Sequence, residues 1–163
     1  MGWVATYLVK VIGMTEERAA GFASFVFIGI TLGRFMGGFL MERLGDRKMI
    51  ILGAFTTILG IILLGIPFSD ERFSLAGFFI IGLGFAPIYP CIIHSTPHNF
   101  GAENSGAIIG IQMASAYMGS TFLPPVFGLL GKAFGFHLLP CYLLFFIVLT
   151  VVMTEKTFRL TKT

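Results

Sequence analysis

Residues 133–154, AFGFHLLPCYLLFFIVLTVVMT, decide the fold, because 22 consecutive residues contain no Asp, Glu, Lys or Arg. A helix needs about 20 apolar residues to cross the roughly 30 Å hydrocarbon core of a bilayer. A water-soluble chain of this size has no core large enough to cover such a helix on all sides. We therefore expect this segment to span a membrane.

Four further stretches pass the same length test, and the first of them contains one charged residue, Arg34. These stretches are residues 20–41, 49–68, 73–97 and 104–131. The connecting segments are short and polar, and the last is a tight hinge at Gly131 and Lys132. The sequence therefore predicts an all-α membrane protein, with a five-helix transmembrane bundle over residues 15–154 and no soluble domain inserted in it.

The composition of the whole chain agrees with this interpretation. Of 163 residues, 56% are hydrophobic and 12% are charged, whereas an average soluble domain is about 45–50% apolar and about 25% charged. This excess excludes a soluble enzyme, a disordered tail and a nucleic-acid-binding protein, and it makes the lipid bilayer the first predicted partner. Cys91 and Cys141 both lie in apolar runs, so we expect packing residues and no disulfide.

The two ends of the chain differ from the spans. Residues 1–14 are apolar except for Lys10, and as a helix they would reach only about 21 Å, two thirds of a span. They form either a half-inserted interfacial helix or the remnant of a helix that begins upstream. We favour the remnant, because the rest of the chain has the pattern of a repeat unit that should begin with a complete helix. Residues 155–163 are expected to form a cytoplasmic tail.

The distribution of basic residues predicts the orientation, since Lys and Arg favour the cytoplasmic side of a membrane. With a cytoplasmic carboxyl terminus, alternation of five spans places residues 42–48 and 98–103 inside as well. The inner bases are then Arg43, Arg47, Lys48, Lys156, Arg159 and Lys162, and the outer ones are Lys10, Arg18, Arg72 and Lys132. We therefore expect an integral membrane protein of the plasma (cytoplasmic) membrane with its carboxyl terminus inside.

Two spans carry small residues at four-residue spacing, which lets helix backbones approach closely in lipid. They are Gly29, Gly33 and Gly37 in the first full span, and Gly106, Gly110 and Ala114 in the fourth. In each of the two spans, this spacing is typical of tight packing or of a sliding contact between helices. Proline pairs interrupt the third span, at Pro87 and Pro90, and the fourth, at Pro124 and Pro125. They predict static kinks or hinges.

Polar residues inside the spans are the candidate functional groups, because each costs free energy in lipid. Arg34 lies about 12 Å from the inner end of its helix, so it either snorkels or pairs with a carboxylate, or it has a gating role. Tyr89, Gln112 and Tyr117 offer uncharged hydrogen-bonding groups suited to a polyhydroxylated or amphipathic solute. No nucleophile-and-base pair, phosphate loop or metal-ligand spacing is present, so we predict no catalytic residue, no metal and no cofactor.

Residues 38–48, GFLMERLGDRK, form the most specific segment, between the first two full spans. The segment resembles the cytoplasmic signature loop of the major facilitator superfamily. Gly38, Leu40, Arg43, Gly45 and Arg47 match the family pattern, and Glu42 replaces its Asp conservatively. Asp46 departs from the pattern where a base is usual. In the family this loop looks like a conformational latch, so the resemblance implies gating roles for Arg34, Gly38, Glu42, Arg43, Gly45 and Arg47.

The resemblance extends along the chain. Residues 84–90, GFAPIYP, with the Gly- and Pro-interrupted polar helix and the very apolar helix that follow, look like helices ten, eleven and twelve of the superfamily. Residues 2–8, GWVATYL, look like the outer end of helix seven. The chain is thus similar to the carboxyl-terminal half, helices seven to twelve, of a secondary transporter, with a sugar-permease-like branch as one option. The implied partners are a small solute and an amino-terminal half or a second copy of the chain.

This resemblance implies transport by alternating access, with Tyr89, Gln112 and Tyr117 on the solute path. Two alternatives stay open from the sequence: a truncated fragment that transports nothing, and a membrane scaffold or assembly subunit. An intramembrane enzyme is disfavoured, because no acid, base and metal constellation is visible.

Overall fold

The computed structural model describes residues 2–65 and 71–161, and within them the chain is helical with no strand. The helices are α1 (Gly2–Lys10), α2 (Glu16–Leu44), α3 (Asp46–Gly65), α4 (Glu71–Phe85), α5 (Ile88–Phe100), α6 (Ala102–Phe134) and α7 (Leu139–Leu160), with a 3₁₀ turn at Phe136–Leu138 before α7.

Four segments in this part of the chain are long and apolar enough to cross a membrane. They are Glu16–Leu44, Asp46–Gly65, Arg72–Phe100 and Phe136–Leu160, and they correspond to four of the five predicted spans. The remaining predicted span is α6, which at 33 residues is longer than any of them but more polar. The fold is therefore an all-α membrane bundle, as predicted, and the crossing of the bilayer by α6 stays a prediction.

Single glycines separate consecutive helices at two sharp reversals. Gly45 is the one residue between α2 and α3, and Gly101 is the one residue between α5 and α6. Their φ angles of 76° and 81° lie in the left-handed region, where a Cβ atom would be strained. A glycine at each of these two positions therefore permits the reversal.

The hinge predicted at Gly131 and Lys132 is wrong by one turn of helix. Both residues lie inside α6, which ends at Phe134, and the reversal occurs at Gly135 with a φ angle of 93°. Lys132 stays in the last turn of the helix, where a positive charge interacts favourably with the helix dipole. Gly131 packs beneath the ring of Phe136, so its missing side chain serves packing and not a turn.

Helix α4 lies at the centre of the bundle, packed between α2 and α3. On the α2 side, a methyl group added at Gly29 would clash with the carbonyl oxygen of Phe79, and one at Gly33 with that of Leu83. Both glycines are buried. The small-residue spacing of α2 therefore forms a tight helix–helix contact, as predicted.

The opposite side of α4 meets α3 in the same way. A Cβ atom at Gly53 would lie 2.5 Å from the carbonyl oxygen of Gly84, and one at Gly84 would lie 2.6 Å from that of Gly53. Gly60 and Gly77 face each other two turns away. Because glycines oppose glycines across this interface, the backbones of α3 and α4 approach more closely than larger side chains would allow.

Proline breaks the third span into α4 and α5, with Ala86 and Pro87 between them. Pro90 has no N–H, so it cannot donate the helical hydrogen bond to the Ala86 carbonyl. In contrast, α6 continues through Pro124 and Pro125 without a break. The two proline pairs therefore differ: the first interrupts its helix, and the second lies within a continuous one.

The short helix α1 is part of the core, although it is only nine residues long. Tyr7 and Leu8 are 4% and 0% exposed. The Tyr7 hydroxyl donates to the Leu64 carbonyl at 3.4 Å, and its ring contacts Phe78 edge to face. A second cluster of buried side chains lies around Ile50 and Ile147, between α3 and α7.

Candidate functional site

The first polar cluster joins the start of α3 to the end of α7. Arg47 Nε donates to Glu155 Oε2 at 3.0 Å, and Arg47 Nη2 donates to Glu155 Oε1. Arg159, one turn along α7, donates to the same carboxylate at 3.1 Å. The two-point Arg47–Glu155 contact fixes the orientation of both groups. Arg47 belongs to the segment that resembles the signature loop, residues 38–48. Glu155 therefore binds this segment to α7 of the same bundle.

A second contact joins the same loop to α5. Asp46, the first residue of α3, is the residue that departs from the family pattern, and its Oδ2 lies 2.9 Å from His94 Nδ1. The Asp46 side chain is only 17% exposed. The position usually occupied by a base thus carries an acid that meets a histidine.

These contacts place three segments at one end of the bundle, which we call the polar end: residues 42–47, 94–103 and 155–161. Thr161 also reaches α5, since its hydroxyl donates to Asn99 Oδ1 at 3.4 Å. Alternation of the predicted spans places these same segments on one side of the membrane. At the polar end, the segment that resembles the signature loop therefore contacts α5 and α7.

The other three charged residues predicted to act in gating make no such polar contact with the described residues. Arg34, Glu42 and Arg43 are exposed, and their side chains form no hydrogen bond or ion pair with the residues that the structure describes. Gly38 is also open, with nothing near the position of an added methyl group. These four of the six residues predicted to act in gating are thus exposed. Among the described residues, Arg47 is the one of the six that another side chain binds.

A groove of about 420 Å³ opens beside the polar end, between α5, α6 and α7. We call it the polar groove. Its polar wall is formed by Ser95, Thr96, Asn99, Gln112, Thr150, Thr154 and Thr157. Its other wall is aliphatic and aromatic, and no charged residue of the described chain lines it. A pocket of this size and lining could hold a small neutral molecule.

Gln112 is the predicted site residue that the polar groove contains. The Thr96 hydroxyl, on a residue 1% exposed, donates to Gln112 Oε1 at 3.1 Å. This bond ties α6 to α5 and orients the Gln112 side chain into the groove. The Gln112 side-chain oxygen is thus hydrogen-bonded, while its amide nitrogen has no hydrogen-bond partner among the described residues.

The two predicted tyrosines lie elsewhere. Tyr117, on α6, is 74% exposed, and Tyr89, on α5, is 40% exposed. Neither lines the polar groove. The structure therefore does not bring Tyr89, Gln112 and Tyr117 into one pocket within the described part of the chain. Tyr117 instead lies in residues 111–118 of α6, where every residue except Gln112 is exposed. We call the side of α6 that carries Gly110 and Tyr117 the open face.

An apolar cavity of about 340 Å³ lies farther along α6, lined by residues of α1, α2, α4, α6 and α7. Its two hydroxyl groups, on Ser120 and Tyr142, already donate to the carbonyls of Tyr117 and Leu123. The cavity therefore offers little to orient a polar ligand.

Sequence reasoning missed three residues of these sites: Glu155, His94 and Thr96. Glu155 was placed in a tail, because the helix was expected to end with the apolar run. The i,i+4 spacing of Glu155 and Arg159 was a usable signal for one more helical turn. Nothing local indicated that Arg47 would meet a residue 108 positions away.

Comparison with known proteins identifies the fold. The family model described as Major Facilitator Superfamily matches residues 1–162. A glucose/galactose transporter of Brucella abortus, present in strain 9-941 (biovar 1) and in strain 2308, is 30% identical over 129 residues. An uncharacterized MFS-type transporter of Yersinia pestis is 30% identical over 93 residues.

These matches cover different shares of the two chains. The Brucella abortus alignments span 78% of this chain and 30% of the relative, and the Yersinia pestis alignment spans 56% and 24%. The chain thus matches less than a third of the length of these curated relatives. No solved structure gave a significant match.

Proposed function

Because this chain belongs to the Major Facilitator Superfamily, we propose that it is the carboxyl-terminal half of a secondary transporter that works by alternating access. The solute is a small neutral organic molecule, with a sugar as the leading candidate. The partner is an amino-terminal half or a second copy of the chain, related to it by a pseudo-two-fold axis along the membrane normal.

The observation that supports this proposal is the open face of α6. Every residue from 111 to 118 except Gln112 is exposed, and the open face carries the polar side chain of Tyr117. Polar groups in membrane spans usually face protein or a water-filled cavity, because lipid cannot satisfy them. A second helical unit opposite this face would provide such a cavity, and the solute would lie between the two units.

Tyr89, Gln112 and Tyr117 are the proposed solute contacts. Tyr89 and Tyr117 combine an aromatic face with a hydroxyl, a pairing that suits both the C–H surface and the hydroxyl groups of a sugar. The likeness to a glucose/galactose transporter favours the same solute class. Gln112 joins the path only if α6 rotates or a partner reshapes the groove, because its side chain is held toward α5.

The exposed charges at the polar end suit a latch between the halves. Glu42 and Arg43 are free to contact the other half, with Gly38 and Gly45 keeping the loop compact, and Arg34 provides a gating charge deeper in α2. Arg47, bound to Glu155, positions the loop. We propose that this end and the carboxyl terminus lie in the cytoplasm, with the protein in the plasma membrane.

Reconstituted uptake tests the proposal. The chain is purified with an amino-terminal six-helix partner, and uptake of labelled glucose, galactose and a charged sugar acid is measured in proteoliposomes. Tyr117→Ala should lower uptake of the neutral sugars about tenfold, the effect of losing roughly 1.4 kcal/mol of solute binding. The matched control is Phe145→Ala, an exposed aromatic residue on α7.

Equal uptake by both variants would remove Tyr117 from the path. No uptake of any solute by the assembled protein, together with a water-inaccessible cysteine at position 117, would favour a scaffold or assembly subunit instead. A transport cavity must be wet from at least one side, so the cysteine measurement separates the two functions.

A further inference from the structure

The polar groove and the open face of α6 are different surfaces. Gln112 and Tyr117 are five positions apart, which is about 140° around a helix with 3.6 residues per turn. Gln112 points between α5 and α7, whereas Tyr117 is 74% exposed. A ligand in the groove would therefore not touch the part of the solute path that Tyr117 lines.

The hydrogen bonds inside the groove leave donors available. Ser95 and Thr96 both reach the carbonyl oxygen of Ile92 at 2.9 Å, and Thr96 has a single hydroxyl hydrogen. The Ile92 carbonyl keeps the Ser95 hydroxyl as a donor when the single Thr96 hydrogen goes to Gln112 Oε1, so that arrangement leaves the carbonyl satisfied. In it the Gln112 amide nitrogen has two N–H groups and no acceptor among the described residues.

Helix α7 supplies acceptors. The hydroxyls of Thr150 and Thr157 donate to the carbonyls of Phe146 and Met153, one turn back along α7. Their hydrogens are thus occupied, but each oxygen can still accept a hydrogen bond. The groove therefore carries donors on α6 and acceptors on α7, across a space of about 420 Å³.

Three classes of ligand can be weighed against this lining. A charged molecule would lose its hydration with no opposite charge to compensate it. A pure hydrocarbon would leave the Gln112 amide without hydrogen bonds. An uncharged molecule with several hydroxyl groups can accept from Gln112 and donate to the threonines, while Phe146 and Phe158 cover its C–H surface.

We propose that the polar groove binds an uncharged polyhydroxyl group at a site separate from the path along Tyr117. Two sources carry this chemistry: a free sugar, or the sugar headgroup of a glycolipid. The second source is open to the groove because Val152 and Met153, on the same stretch of α7, are more than half exposed.

Cysteine protection tests the site. The full chain carries Cys141→Ser and Thr154→Cys in lipid nanodiscs, and the rate of maleimide labelling is measured. Native Cys91 is 2% exposed, so its failure to react shows in each sample that the bundle is folded. One arm adds free glucose, one uses nanodiscs containing monoglucosyl diacylglycerol, and the reference uses phosphatidylcholine alone. A cysteine at Ala114, which is exposed on the open face about 200° from Gln112 around the helix, is the control position.

Protection of position 154 by glucose or by the glucolipid, but not of position 114, is the expected result, and the arm that protects identifies the source. Gln112→Leu should weaken that protection about fivefold, the value of roughly one neutral hydrogen bond. Labelling at an unchanged rate in both arms, or equal protection of the Gln112→Leu variant, would overturn the proposal. Neither result depends on uptake, so transport can fail while the groove still binds.

Discussion

Two helices of this protein carry small residues at the same four-residue spacing, and only one of them uses that spacing within the chain. Gly29 and Gly33 of α2 are buried against the backbone of α4. Gly106 and Gly110 of α6 have no atom of the described residues near the position of an added methyl group. The same pattern thus marks a closed interface in one helix and an unoccupied surface in the other.

The difference arises from what α4 presents to its neighbours. It carries Gly82 toward α2, and Gly77 and Gly84 toward α3, so two helices can approach it closely. Helix α6 meets mainly α5 and the 3₁₀ turn at Phe136–Leu138. A small-residue spacing therefore indicates that a helix can pack closely, but a complementary helix decides whether it does.

Matched glycine substitutions should separate the two surfaces most strongly. In Gly84→Ala the new methyl group would lie 2.6 Å from both the Gly53 oxygen and the Thr57 nitrogen, which are backbone atoms. We expect a loss of about 3 kcal/mol, as for a severe overpacking change. Gly110→Ala should instead gain about 0.5–1 kcal/mol through helix propensity.

Unfolding of both variants in detergent micelles, followed by circular dichroism, measures these changes. A destabilised Gly110→Ala protein would mean that the α6 face is packed in the folded chain. An unaffected Gly84→Ala protein would mean that α3 and α4 do not touch at the observed distance.

A larger side chain on the open face should affect transport and spare folding. Gly110→Leu meets nothing within the described chain, so its unfolding transition should match that of the unsubstituted protein. If the other half covers this face, the leucine keeps the two units apart, and uptake by the assembled transporter should fall about tenfold or more, a coupling loss of roughly 1.4 kcal/mol. The control is Phe145→Leu on α7. Full uptake by Gly110→Leu would show that this face meets lipid.

Two arginines of the polar end should show the same contrast between a bound and an open position, with a smaller effect on stability. Arg47 is bound by Glu155, whereas Arg43, on the preceding helix, has no side-chain partner in the described chain. Arg47→Gln should lower the unfolding temperature slightly at low salt, and Arg43→Gln should leave it unchanged. The difference should shrink as salt screens the partly exposed pair.

Combining Arg47→Gln with Glu155→Gln refines this prediction. In the Arg47→Gln background, Glu155→Gln should cost less stability than it does in the unsubstituted protein, because only the exposed Arg159 contact remains to be lost. Additive effects of the two substitutions would show that Arg47 and Glu155 act independently.

Much of the bundle was predictable because its signals are local. Hydrophobic run length marked four spans that the structure confirms as long apolar helices, and Gly45 marked the reversal between α2 and α3. The hinge at Gly131 was misplaced, because the glycine that packs beneath Phe136 and the glycine that turns the chain look alike in the sequence. The candidate site was less predictable: Gln112 was identified as a polar residue, but not its contact with Thr96.

The sequence by itself determined the membrane class, the helical spans and the resemblance of residues 38–48, since hydropathy, charge and loop motifs are properties of neighbouring residues. Only the tertiary structure decided which glycine stripe is closed, that Glu155 engages Arg47, and that Gln112 and Tyr117 face different spaces. These outcomes depend on contacts between residues far apart in the chain, whose geometry is set by how α4 separates α2 from α3 and leaves α6 largely uncovered.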